Sequence, residues 1–597
     1  MQSDRWPGPW PLCYRALAPL PRGGPSLTLS QPALPDQRPS SSDHEIQQPG
    51  DGSTPPSPVS VNDSAPDVVH HPSRFLRDRL PTGAARAIEV LLLLIPVAWA
   101  VVYLFPPINH DVAALMDVGH RWLDGEKLYV DIIDINLPLV FVLYSAPEVL
   151  ARLFEFTGLD AAIWMTIAFY VAIVGSFLAC RALTHKVPSL AHPLTEALVP
   201  PTLLFLFVVL PNENFGQREH LMFVLTAPYL LHAAERAEGR AAAIGRLATW
   251  AIALAAGIGL AQKPHFLAIP LVVESYLLLH RGWRRTLRDS VPWLIGAVAI
   301  GHAALIVLGT PAYLTNVLPI IWDSYTHLGE VTWMGVLFGP VLGPCLLALA
   351  AFGLLAIFLA RTVAGRVIVA YGLGAALAAA LQAKGWPYHV LPGLSATILL
   401  AAVTISQMID RYLPIDRDAH RLPVVAISAT FLILLYFQAA LFTPPFQKQR
   451  QFEDSITGVL LHIVEQNAPN KRILVLSPGI YPYYPLVNYG GIRMTMRFQT
   501  MWVLQGIYAD CEEYPTLYNA PEDMSEAERF VFESVSDDLE RQQPDLVIVD
   551  RVAGMPRCQG RVFDYLEYFM RNPKFSRSFE RYTHFMDVDR YVIYKRR

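Results

Sequence analysis

Blocks of roughly 18 to 25 apolar residues recur from about residue 86 to about residue 443, each long enough to cross a ~30 Å hydrocarbon core as a helix. Such blocks exceed what one water-soluble core can bury, so the chain reads as a polytopic α-helical membrane protein with about 11–12 spans. Charge agrees with this. Only 16% of residues are charged, against about a quarter in an ordinary soluble domain. A net charge of −4 supplies no basic field for nucleic acid, and none is expected as a partner.

Three regions follow from the distribution of apolar residues. Residues 1–80 are rich in Pro, Ser, Asp and Gln without apolar periodicity, and are expected to be a disordered tail. No short apolar core stands at the very N-terminus, so no cleavable signal peptide is expected, and the first span, Ala87 to Phe105, would act as an uncleaved anchor. Residues 81–443 hold the spans. Residues 444–597 return to soluble composition and are expected to form a C-terminal α/β domain. There Lys471–Ser477 and Pro544–Asp550 are short apolar runs typical of buried strands, Asp538–Arg541 belongs to a helix between them, and Arg590–Lys595 closes the sheet. That domain lacks a nucleotide fingerprint and reads either as a cap that shapes acceptor binding or as a structural lid. Trp502, Tyr508 and the Tyr481–Tyr484 cluster could stack on sugars, although core packing is the commoner fate of such aromatics.

Five cysteines are too few for a disulfide scaffold. Cys180 and Cys345 fall inside apolar spans, and Cys13 in the tail. Cys511 and Cys558 are the candidate disulfide, provided their domain faces an oxidising compartment.

Orientation follows from lysine and arginine, which are in excess in cytoplasmic loops. The strongest signal is Arg281, Arg284, Arg285 and Arg288. Arg74/Arg77/Arg79, Arg181/Lys186, Arg236/Arg240/Arg246, Arg361/Arg366 and Arg411/Arg417/Arg421 add to it. With these inside, the N-terminus is cytoplasmic and the C-terminal domain extracytoplasmic. The turns Asn109–Asn136, Pro211–His220, Gln262–His265, Thr310–Glu330 and Lys384–His389 then lie outside. The apolar stretch Pro138–Phe156 would invert every later loop if it crossed; either it dips into the outer leaflet without crossing, which is the favoured reading, or the Arg181/Lys186 signal is misleading.

The outer turns carry the chemistry. In the first, Val112, Leu115, Met116, Gly119, Trp122 and Leu123 have helical spacing, which predicts an amphipathic helix on the membrane surface. Asp111 stands where an N-cap belongs and Gly125 at C′. A capping carboxylate is the plain reading of Asp111; a base held ionised at a helix N-terminus is the functional one. Asp131, Asp134 and Asn136 precede Pro138 and read as turn chemistry or as part of the site. The second turn, Asn212 to His220, brings Gln217, Arg218, Glu219 and His220 to the mouth of a span, where ionisable groups are costly. Its plain reading is an interfacial Arg218–Glu219 anchor. Two later turns share an order of residue types, Gln262-Lys263-Pro264-His265 and Gln382-Ala-Lys384-Gly-Trp386-Pro387-Tyr388-His389. A lone lysine there could merely snorkel, and Trp386 and Tyr388 could be interfacial belt residues. Two such turns together suggest an anion at the membrane surface, a phosphate above all. No phosphate-binding glycine loop, HExxH or paired CxxC is present, which argues against ATP use and a tightly built zinc site.

An acid after the first span, a helix closing on Leu123-Asp-Gly-Glu-Lys-Leu-Tyr-Val-Asp131, then Pro138-Leu139 opening an apolar helix resembles the GT-C glycosyltransferases. The closer likeness is to the bacterial branch related to protein O-mannosyltransferases and the lipid A aminoarabinose transferase. The turn from Lys384 through His389 to Pro392 is similar to a late turn of the same branch. The resemblance covers roughly residues 85–440; order and spacing carry it, since each motif is loose. It implies a polyprenyl-phosphate sugar as donor, a lipid, glycan or protein as acceptor, and transfer on the outer face of the bilayer. It places Asp111 as general base, Asp134 and Pro138 in the second element of the first loop, and Lys384 and His389 near the donor phosphate. His110-Asp111-Val112 stands where the family has an Asp-Glu pair, and Gln217–His220 has no counterpart.

The inventory suits that chemistry. Asp111 is the candidate base, with Asp134 and Glu219 as alternatives; Arg218, His220, Lys263, His265, Gln382, Lys384, Tyr388 and His389 are candidate substrate-binding residues. No metal ligand is assigned, and a divalent metal is left open. The rival reading is a transporter or flippase of a lipid-linked sugar. Transporters, however, usually place polar groups near the midplane on broken helices in repeated halves. A non-catalytic scaffold would have no use for one-sided Asp, Arg, Lys and His.

Overall fold

In lipid the backbone must satisfy its own hydrogen bonds, so apolar blocks cross as helices. A computed structural model describes residues 82–239, 244–329, 331–412, 421–440, 445–509, 517–553 and 562–597. Cys511 and Cys558 lie outside these ranges, as do residues 1–81. The membrane part runs α1 (Thr82–Ala100), α2 (His110–Leu123), α3 (Pro138–Leu153), α4 (Ala161–Thr184), α5 (Pro193–Leu204), α6 (Arg218–Ala237), α7 (Arg246–Ala261) and α8 (Ala268–Arg281). A single turn, α9 (Trp283–Thr286), precedes α10 (Ser290–Ala304). Two π segments then flank the one-turn α11 (Leu318–Ile320). The part ends with α12 (Trp333–Phe338), α13 (Leu342–Leu354), α14 (Val363–Leu381), α15 (Leu391–Tyr412) and α16 (Arg421–Ala440). Among the described residues, five helical runs have the length and apolar composition to cross a membrane, and four shorter apolar helices accompany them. The protein is a multi-pass membrane protein.

Contacts between turns sort them into two ends. At one end Arg236 binds Glu274 at 2.7 Å and Asp289 at 3.0 Å. Nearby, Gln407 donates to Ser189 O at 2.6 Å and accepts from Thr362 Oγ1 at 2.7 Å. The arginine-rich turns gather here. At the other end Asn109 donates to Glu213 O at 2.7 Å, and Tyr103 stacks on Phe215 with centroids 4.0 Å apart. Turns at opposite ends of the bundle are what apolar helices that cross a membrane require.

The stretch expected to dip and return is α3, and both its ends sit at the Tyr103 end. Asn136, just before it, accepts from Arg218, close to Phe215. Phe154, just after it, stacks on Trp164 at 5.2 Å, near Thr166, whose hydroxyl donates to Tyr103 O at 3.0 Å. Helix α3 lies parallel to α2: Arg152 bonds Asp124 at 2.7 Å and Glu148 bonds His120 at 3.0 Å. Glycine permits the approach, because a Cβ on Gly119 would fall 2.9 Å from Ser145 Cα.

The C-terminal domain begins with α17 (Pro445–Arg450) and α18 (Ile456–Asn467). Its sheet contains β1 (Arg472–Leu476), β2 (Arg493–Met494), β3 (Leu546–Asp550), β4 (Tyr582–Val588) and β5 (Tyr591–Arg596) in the order β2-β1-β3-β5-β4. The apolar runs at β1 and β3 pair in parallel, Ile473 opposite Leu546, and are buried as such runs require. Strand β5 closes the sheet antiparallel to β3. The helices α19 (Tyr483–Gly490), α20 (Trp502–Ile507), α21 (Glu526–Gln542), α22 (Tyr565–Met570) and α23 (Pro573–Phe579) complete the domain.

Helix α2 differs from expectation. Its polar side meets the C-terminal domain instead of water. Asn488 donates to Ala113 O at 2.9 Å, Gln499 to Ala114 O at 2.7 Å, and the Tyr484 hydroxyl to Asp117 at 3.0 Å. Burial raises the pKa of Asp117 against the opposing pull of Arg121 and Tyr484.

Candidate active site

The acid loop is built from its cap outward. Asn109, in extended backbone, is the N-cap of α2: its Oδ1 accepts from the backbone N–H of Asp111 at 2.9 Å and of Val112 at 3.2 Å. This corrects the assignment of the cap to Asp111, which sits in the first turn with its carboxylate turned outward. Asp111 Oδ2 accepts from Gln217 Nε2 at 2.9 Å, and Oδ1 faces His110 Nε2 at 3.5 Å. Its side chain is 14% exposed.

The turn before α6 supplies Gln217 and Arg218. Gly216 has φ +87°, and a Cβ there would meet Met165 at 2.8 Å, so the turn needs glycine. The Gly216 N–H donates to His220 Nδ1 at 3.1 Å, His220 Nε2 donates to Phe207 O at 2.8 Å, and the Tyr144 hydroxyl donates to Gly216 O at 2.6 Å. Both ring nitrogens of His220 are thus engaged with main chain, and the ring is fully buried between Phe169 and Phe215. His220 is therefore a brace of the turn and not a substrate-binding residue, contrary to the sequence reading. Arg218 is buried, donates to Asn136 Oδ1, and leaves its Nε without a partner among the described residues. Asn136 in turn donates to Asp134 Oδ1 through its backbone N–H at 2.7 Å and its side chain at 2.8 Å. Asp134 is 6% exposed, and burial raises its pKa.

The two similar Gln-Lys-Pro-His turns meet here. Lys263 donates to Glu219 at 2.6 Å and to Gln382 Oε1 at 3.0 Å, and lies over the Tyr388 ring at 5.6 Å. Its charge is felt by Glu219, Arg218 and Asp111; burial outweighs the carboxylates and brings its pKa down to about 8. Glu219 is 0% exposed and paired. His389 is buried 4.0 Å from Glu219 with neither ring nitrogen bonded, and His265 Nδ1 is likewise unbonded among the described residues. Lys384 is placed differently from the sequence reading. Its ammonium donates to the carbonyls of Tyr325 at 2.9 Å, Thr326 at 3.2 Å and Leu328 at 2.6 Å, tying down the π segment after α11. An ammonium has three donors, and all three are used. Lys384 thereby holds Tyr325, whose ring it covers at 4.9 Å, within the field of Arg218 and Asp111.

Of the three candidate carboxylates, Asp111 alone combines exposure with an oxygen free of strong donors. Glu219 is neutralised by Lys263, and Asp134 orders Asn136. No group of three or more His, Cys, Asp or Glu side chains among the described residues is arranged to hold a metal ion. Gln217, Asn109 and Asn136 position the charged groups; none of the three is among the candidate catalytic or substrate-binding residues of the sequence, because neutral amides at a span end look like ordinary turn residues. Tyr481 is half exposed and lies 6.5 Å from His110, edge to face, whereas Tyr483, Tyr484 and Tyr508 are core.

No protein-family model matches this chain, and no curated protein sequence matches it. Among solved structures, ArnT from Cupriavidus metallidurans bound to undecaprenyl phosphate superposes with a TM-score of 0.54 at 13% identity, over 86% of this chain and 98% of that one. The apo form of the same protein gives a TM-score of 0.48 over the same shares. At that identity the likeness speaks to architecture, and it spans both the bundle and the C-terminal domain. The chain shares the membrane fold of ArnT, over the bundle and the C-terminal domain together.

Proposed function

We propose that this chain is a membrane glycosyltransferase that moves a hexosyl or pentosyl group from a polyprenyl-phosphate donor to an acceptor hydroxyl, with inversion. The observation that carries the reading is one juxtaposition. A partly exposed Asp111 carboxylate neighbours Arg218, a buried guanidinium that, among the described residues, donates to a neutral amide and leaves its Nε unpaired. Glu219 and Asp111 lend Arg218 negative charge, but Glu219 is already paired with Lys263, and a buried guanidinium with an unmet donor favours a further anion. ArnT is bound to undecaprenyl phosphate, and a polyprenyl phosphate is an anion of the class that Arg218 and Lys263 suit.

The arginine-rich end is cytoplasmic by the positive-inside rule, so the site and the C-terminal domain are extracytoplasmic. The donor phosphate lies on the Arg218–Lys263 side. The acceptor enters over His110 and Tyr481, where Asp111 Oδ1 is turned. The acceptor oxygen attacks the anomeric carbon as its proton passes to Asp111 Oδ1. The bond from that carbon to the phosphate oxygen breaks, and the charge developing on phosphate is met by Arg218 and Lys263. A single displacement inverts the centre. Polyprenyl phosphate leaves readily, so no general acid is assigned.

Asp111→Asn in the purified full chain should abolish transfer from a panel of undecaprenyl-phosphate sugars while leaving undecaprenyl phosphate binding intact. Transfer at the wild-type rate by this variant would remove Asp111 from the role, and absence of undecaprenyl phosphate binding by the wild type would remove the donor.

A further inference from the structure

Gln217 stands between the braced turn and the candidate base. It is 1% exposed and directs Nε2 at two oxygens, Asp111 Oδ2 at 2.9 Å and Asn109 Oδ1 at 3.1 Å. Its own Oε1 is buried with no partner among the described residues. The amide orientation is therefore dictated: turning it over would set Oε1 against two acceptor oxygens. A buried acceptor left unpaired is unfavourable, so the environment holds Gln217 in this pose for the sake of the other end of the amide. That environment consists of groups which otherwise lack a purpose in the site. His220 braces the Gly216 N–H, Tyr144 braces the Gly216 carbonyl, and Gly216 itself takes a backbone conformation that L side chains rarely adopt.

We infer that Gln217 is a positioning residue, which fixes Oδ2 of Asp111 so that Oδ1 is presented to the acceptor hydroxyl, and that His220, Gly216 and Tyr144 form the brace behind it. This rests on the transferase reading for its purpose but not for its geometry. With Oδ2 bonded to an N–H, one lone-pair direction of the carboxylate is fixed and the other oxygen is left for the proton. Other charges facing Asp111 are His110 on its own helix, Arg218 and Glu219 on α6, Asp134 in the acid loop, and Lys263 in the turn after α7. Tyr325 and Tyr388 complete the surroundings.

The test reads Asp111 directly. A water-soluble carbodiimide modifies protonated carboxyls, and the fraction of the Asp111 peptide modified in a fixed time, followed by mass spectrometry from pH 3 to pH 8 on the full chain in detergent, gives its titration midpoint. Gln217→Leu should move that midpoint upward by about one pH unit, a tenfold change in the protonation equilibrium. Gln217→Glu, which sets a second carboxylate against the first, should move it further in the same direction. Asp111→Asn supplies the blank. Midpoints unchanged in both variants, with the protein still monodisperse, would overturn the inference. Loss of folding in the Leu variant leaves the near-isosteric Glu variant to decide. Undecaprenyl phosphate binding is measured on the same samples. If the wild type does not bind it, the transferase reading fails while the Gln217–Asp111 result stands. If it binds and the midpoints do not move, only this inference fails.

Discussion

Lys263 joins the two late turns, and its chemistry gives the most direct pH dependence in the molecule. Burial brings its pKa down to about 8, so it is an ammonium below that pH and loses its charge above it. The second ionisation of a phosphate monoester is complete near pH 7, since its pKa is about 6, so a polyprenyl phosphate keeps a constant charge from there upward. Binding of undecaprenyl phosphate in nanodiscs should therefore weaken as pH rises from 7 to 9, and Lys263→Met should bind more weakly and lose that dependence. A wild-type affinity flat over this interval would exclude Lys263 from the phosphate site. Residues such as Lys263, Arg218 and Asp111 stand out in the sequence because charge at a span end is energetically conspicuous, and the structure brings them near one another. Gln217 was not, since an uncharged amide carries no comparable penalty. His220 and Lys384 were misread for the same reason in reverse. A charged or chargeable side chain looks identical in sequence whether it faces a ligand or a backbone carbonyl, and here the Phe207 carbonyl and those of Tyr325, Thr326 and Leu328 are the partners.

At the scale of elements, the α2–α3 pair decides where the acid loop sits. Gly119 and Gly175 are both helical glycines, yet the packing around them is opposite. A Cβ on Gly119 would lie 2.9 Å from Ser145 Cα, while no atom lies within 4 Å of one on Gly175. Gly119→Ala should therefore lose about 1–3 kcal/mol by forcing the helices apart. Gly175→Ala should gain roughly 0.5–1 kcal/mol from reduced backbone freedom in the unfolded chain. Thermal unfolding of the two variants in one detergent checks the pair, and equal shifts would refute the close packing. The apolar content of α3 was plain in the sequence, but its path was set by parity: the arginine-rich turns had to share a side. The helical period of α2 was equally plain, and its burial on both sides was not, because the covering side chains come from some 370 residues further along. Strands β1 and β3 were legible as short apolar runs because parallel strands are buried on both faces.

For the whole molecule, the alternation of turns assigns sides that a topology experiment can read. With the native cysteines replaced by serine, a membrane-impermeant maleimide applied to intact cells should label Tyr481→Cys and not Arg284→Cys; the reverse pattern would invert the site and the domain together. The C-terminal domain rests on α2 through Asn488 and Gln499, which reach the carbonyls of Ala113 and Ala114, main-chain atoms that every residue type presents alike. The Tyr484–Asp117 bond and the small side chains of Ala113 and Ala114 complete the seat, so it depends on side chains at those three positions as well as on main chain. The helical turn that carries Asp111 also carries Ala113 and Ala114 beneath the domain, and His110 faces Tyr481, so exchanging residues beside Asp111 acts on the joint as well as on the proposed site.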